Sequence, residues 1–107
     1  MIYKVAICDD EINQCAVLEK IIIEYFNNRA EKCEVEVWYD SMSLCRDIKE
    51  FNPQILFLDI ELPGDNGVCA GKYIRETLHN DRMNIVFISH KTSYAMELFK
   101  FIHMISL

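Results

Sequence analysis

A chain of 107 residues fits one folding unit and is too short for a second independent one. Hydrophobic residues make up 51% and charged residues 26%, the balance of a globular protein rather than a disordered one. The formal charge of -6, with Lys and Arg scattered rather than striped, repels nucleic-acid phosphates, and no direct nucleic-acid binding is expected.

Apolar runs such as Ile55-Leu56-Phe57-Leu58 fall far short of the roughly 20 residues that span a bilayer, so no membrane anchor is expected. Met1 to Lys4 run straight into a strand-like segment with none of the features of a secretory leader, which predicts a cytoplasmic location. The five cysteines include no Cys-x-x-Cys pair, and neither a disulfide framework nor a zinc site is suggested.

Tyr3 to Cys8 form a mostly apolar run that stops at two aspartates, as a buried strand does where its C-terminal end meets solvent. From Glu11, apolar positions Ile12, Cys15, Leu18, Ile22 and Tyr25 recur at helical spacing, predicting an amphipathic helix that ends near Asn28. Val35, Val37 and Tyr39 then alternate with Glu34, Glu36 and Trp38, the pattern of a second strand. Asp40 or Ser41 can cap a helix carrying Leu44, Ile48 and Phe51, which Asn52-Pro53 terminates.

Ile55 to Ile60 read as a third, buried strand interrupted by Asp59, followed by a loop from Glu61 to Gly67. A helix around Val68 to Leu78, a strand from Ile85 to Ser89 and a helix around Ser93 to Lys100 continue the alternation. The apolar end, Ile102 to Leu107, suits a short last strand with no helix after it. Parallel α/β is the architecture expected, as one domain over residues 1–107 with no output domain.

In such a sheet, ligands bind at the carboxyl ends of the strands, where Asp9, Asp10, Asp59 and Ser89 all fall. Carboxylates brought together repel unless a hard cation neutralises them, and Mg2+ takes octahedral oxygen ligands. Asp10, Asp59 and the Glu61 backbone carbonyl are the expected protein ligands, and Asp59 is best placed to attack phosphorus. Taken alone, Asp9 reads equally well as a helix cap and Asp59 as a polar strand end.

Through Asp9-Asp10-Glu11, the run from Phe57 to Gly64, and Phe87-Ile88-Ser89, nearly the whole chain resembles the receiver domain of bacterial response regulators. The resemblance implies a flavodoxin-like (CheY-like) doubly wound sheet of strand order 2-1-3-4-5, with strand five short and the final helix absent. It implies that Asp59 accepts phosphate from a sensor histidine kinase's phosphohistidine, that Asp9 and Asp10 organise Mg2+, and that Ser89 is the switch hydroxyl. Tyr94 would be the switch aromatic, with core packing an equal alternative, and Pro63 and Gly64 would shape the adjoining loop. Ile60 to Gly64 and Ser93 to Phe99 look especially like regulators with a LytTR-type DNA-binding output, so an output domain or partner protein would receive the signal.

Two departures from the family pattern carry expectations of their own. No lysine follows Lys100, although the family places one at the end of strand five, so coupling of phosphorylation to the Ser89 region is expected to weaken. With no helix after strand five, the uncovered sheet and helix surfaces around that strand would favour self-association as a homodimer, or strand exchange. The competing functions are an inert, phosphorylation-independent interaction module and a metal-dependent phosphatase suggested by Asp59-Ile60-Glu61. His79, His90 and His103 are too scattered for a metal cluster, packing accounts for Trp38-Tyr39, and Gly64, Gly67 and Gly71 match no nucleotide-binding loop.

Overall fold

The computed structural model describes residues 1–62 and 66–89. The expectations for Pro63, Gly64, Tyr94, the helix at Ser93 to Lys100 and the last strand lie outside the described residues.

Elements alternate as β1 (Ile2–Cys8), α1 (Ile12–Asn28), β2 (Lys32–Trp38), α2 (Ser41–Phe51), β3 (Ile55–Asp59), α3 (Gly67–Lys72) and β4 (Asn84–Ile88). A π-helical turn, Tyr73–Thr77, continues α3. The strands form one parallel sheet in the order β2-β1-β3-β4, and β1 and β3 are its central pair. This is the described part of the expected doubly wound order.

Alternating side chains of the strands feed two cores. Ala6, Cys8, Leu56 and Leu58 pack with Leu44 and Ile48 of α2 and with Ala70 and Ile74 beyond β3. Val5 and Ile7 point the other way and pack with Cys15, Ile22 and Phe26 of α1. Helices therefore cover opposite faces, which is why the central strands read as continuous apolar runs.

Two details differ from the sequence reading. Along α1 it is Phe26 that is buried, while Tyr25 and Ile12 are exposed. The helical stripe drifts by one position in the last turn, and Phe26 stacks on Tyr3 with ring centroids 5.0 Å apart. In β2 the alternation holds through Val37, but Trp38 is buried and Tyr39 exposed. Trp38 meets Phe51 edge to face at 5.5 Å, and its indole Nε1 donates to Asp47 Oδ2 at 3.0 Å, so α2 captures the indole.

Each helix boundary has a local cause. The Asp40 carboxylate accepts from the Ser43 amide at 2.7 Å and caps α2. Asn52 closes α2 in the left-handed region, φ 48°, immediately before Pro53. Asn66 caps α3 by accepting from the Cys69 amide at 3.1 Å.

Candidate phosphoacceptor site

β1 and β3 run side by side with Cys8 opposite Leu58, so the residues that follow, Asp9 and Asp59, emerge at the same end of the sheet. The carboxylates of Asp9, Asp10 and Asp59 each offer an oxygen within 4.8 Å of the others. Asp9 and Asp59 are buried, and Asp10 is exposed at the rim.

Backbone amides orient the two buried carboxylates. Asp9 Oδ1 accepts from the Glu11 amide at 3.0 Å, and Asp59 Oδ1 accepts from the Glu61 amide at 2.9 Å. Asp9 is thus not the cap of α1: that position belongs to Glu11, whose side chain makes no capping bond. The backbone of Asp9 is held as well, its amide donating to the Trp38 carbonyl at 3.1 Å and its carbonyl accepting from the Cys15 thiol at 3.2 Å.

Burial pushes the Asp59 carboxyl up to about 6, the Glu61 amide pulls it back, and the neighbouring Asp9 carboxylate raises it further. The Cys15 thiol is pushed up to about 11, first by burial and then by the charge of Asp9, which keeps it a neutral donor to the Asp9 carbonyl.

The three carboxylates form an all-oxygen donor set whose member Asp10 is exposed to solvent. Such a set fits a hard divalent cation that retains waters, as Mg2+ does. Ser89 directly follows β4, whose Ile88 is the register partner of Asp59. The Ile60 amide donates to the Ile88 carbonyl at 2.9 Å, fixing the two strand ends together.

Sequence reasoning missed Gly67. Its amide donates to the Ile60 carbonyl at 2.8 Å, and its α-carbon lies against the backbone of Asp59 and Ile60. The available cue was Asn66-Gly67 before a helical pattern, which read as the end of a loop and did not say what the glycine approaches.

The response regulator receiver domain family matches residues 5–102. The chain belongs to that family. As a receiver domain it is a signalling module rather than a conventional enzyme. Among curated relatives, it is 32% identical over 100 residues to stress response regulator protein 1 of Candida dubliniensis, covering 92% of this chain and 33% of that protein. It is 36% identical over 52 residues to the sensory transduction protein LytT of Oceanobacillus iheyensis, covering 49% of this chain and 21% of that one. The second relative agrees with the LytTR-type resemblance, and the chain spans about a third of the first relative's length.

Solved receiver structures share the fold. The response regulator TrrA of Thermotoga maritima, crystallised with Mg2+-BeF, superposes with a TM-score of 0.75 at 21% identity, covering 90% of this chain and 76% of that one. The response regulator domain of CheB from the same organism gives 0.70 at 20% identity, over 94% and 73% of the two chains.

Proposed function

We propose that this receiver domain takes a phosphoryl group onto Asp59 from the phosphohistidine of a sensor histidine kinase and passes the change to an output domain or partner protein. The observation that carries the reading is the convergence of Asp9, Asp10 and Asp59, with oxygens within 4.8 Å, at the ends of the two central strands.

The Glu61 amide holds Asp59 Oδ1, and on this reading Oδ2 is the attacking atom. Oδ2 forms the new O–P bond while the P–N bond of the phosphohistidine breaks, and the imidazole leaves with the electron pair and takes up a proton. Burial makes Asp59 more basic than an ordinary carboxylate, yet it stays largely ionised at neutral pH. Asp9, Asp10, Asp59 and the Glu61 carbonyl would hold Mg2+, which when bound offsets negative charge on the attacking and transferred oxygens. The Ser89 hydroxyl, at the strand end beside Asp59, would receive the phosphoryl oxygens and bias the following segment, including Tyr94.

The reading places the chain in the cytoplasm, where its kinase acts; among the described residues no helix is long and apolar enough to cross a membrane. Its test is intact-mass and peptide-mapping analysis after incubation with a small acyl-phosphate donor. A magnesium-dependent adduct on Asp59, lost in Asp59→Asn and on chelation, is expected. Its absence with both the small donor and the kinase would overturn the reading.

A further inference from the structure

The helices α2 and α3 lie on the same face of the sheet, and a cavity of about 200 Å3 separates them. Its lining is Ser41, Met42, Cys45, Cys69, Ala70 and Tyr73. Three of these six side chains carry sulfur, they come from both helices, and no carboxylate or imidazole is among them. Met42 and Cys45 stand three residues apart on α2, which puts them on one face of that helix. Cys69 enters from the first turn of α3, beyond the Asn66 cap.

We infer that this cleft is a soft-metal site that takes a monovalent thiophilic ion of the copper(I) class, bridged by Cys45 and Cys69 with the Met42 thioether as a third donor. Thiolate and thioether ligands select such ions and discriminate against the hard cations suited to the aspartate cluster. Zinc would want four ligands, and the described lining offers no nitrogen or carboxylate oxygen to complete a tetrahedron.

A direct Cys45–Cys69 disulfide, which requires the two β-carbons to approach to about 4 Å, is the competing chemistry for this pair of thiols.

The thiols' accessibility suits metal entry. Cys69 is exposed, Cys45 is half-buried, and neither is in a disulfide. Met42 is 84% exposed, so its flexible thioether can swing over an ion seated between the thiols. Loading is a ligand exchange without redox change: one copper(I) ion displaces the protons of two thiols, giving a bis-thiolate complex of net charge -1 and two released protons.

The test is a titration of reduced, metal-free protein with copper(I) under anaerobic conditions, in competition with the chromophoric chelator bathocuproine disulfonate, alongside native mass spectrometry. One ion per chain is expected. Cys69→Ser and Cys45→Ser should each weaken binding by more than about tenfold, Met42→Leu should weaken it less, and Cys33→Ser on β2 should leave it unchanged. Because Cys69 is exposed, Cys69→Ser keeps the experiment informative if Cys45→Ser perturbs packing. The inference is overturned if copper(I) stays with the chelator, if the Cys45→Ser/Cys69→Ser pair binds as wild type does, or if mild oxidation with diamide joins Cys45 to Cys69 while reduced protein takes no copper.

Discussion

Gly67 lies against Asp59 with no room for a β-carbon: one built there falls 2.8 Å from the Asp59 carbonyl carbon and 2.9 Å from the Ile60 α-carbon. The Asp59 carbonyl oxygen lies closer still, and all three obstructing atoms are backbone, so the strain cannot be relieved by a side-chain rotation. Gly67→Ala should push the start of α3 away from the end of β3, costing about 1–3 kcal/mol and misaligning the acceptor. Denaturant unfolding followed by Trp38 fluorescence measures the first effect, and Asp59 phosphorylation rate the second. A variant with wild-type values for both would mean that the loop and helix yield freely.

Asp59 should make folding less favourable as pH rises. Its folded value, about 6, lies above the ordinary 3.8, so the native state binds the proton more tightly than the unfolded chain does. Its contribution to stability is full below about 4 and is lost as pH climbs through about 6. Asp59→Asn should therefore melt higher than wild type near neutral pH without divalent cations, with the difference shrinking toward pH 4. A thermal melt series across that window reads the effect directly.

Magnesium should reverse that penalty in wild type. An ion bound only by the folded state adds about 1.4 kcal/mol at ten times its dissociation constant, so the melting temperature should rise with magnesium concentration. Asp10→Asn should blunt the rise with little change in the metal-free melt, because Asp10 is the exposed member of the cluster. Equal magnesium responses in the two proteins would remove Asp10 from the ligand set.

Leu44→Ala should cost about 2–5 kcal/mol, since Leu44 is fully buried in the α2 face of the sheet. The protein has one tryptophan, Trp38, in the same core, so its emission reports the loss without competing signals. Chemical unfolding of the two proteins side by side provides the number.

Self-association should run through the α1 face. Ile21 and Tyr25 are exposed beside an apolar groove that also takes in Leu18, Ile55 and Phe57. Light scattering over a concentration series should show mass rising toward a dimer, and Ile21→Lys should suppress it. A monomer at every concentration would show that this face is not a self-association surface.

The strand-helix alternation was legible because buried parallel strands write themselves as apolar runs, and Asp9 and Asp59 stood out as the polar residues ending two of them. The cap Asp40 belongs to local chemistry that a sequence displays, whereas Asn66, read as a loop residue, proves to cap α3. What stayed hidden depends on three-dimensional approach. Nothing in the order of Trp38 and Tyr39 says that α2 will offer Asp47 and Phe51 to the indole. Likewise Tyr25 and Phe26 compete for one helical stripe, and Tyr3 settles it in favour of Phe26. The π-helical turn at Tyr73–Thr77 left no mark in the spacing of apolar residues, because Ile74 keeps its place in the core.

The two central strands carry the acidic pair to different listeners. Asp9 hands its carbonyl to the Cys15 thiol on the α1 side, whereas the Asp59 backbone is the floor on which α3 begins. A displacement of Asp9 is thus passed to α1 and one of Asp59 to α3, helices on opposite faces of the sheet. On the proposed reading, a phosphoryl group on Asp59 would have two separate faces through which to be read, and partners docking on one would leave the other uncovered.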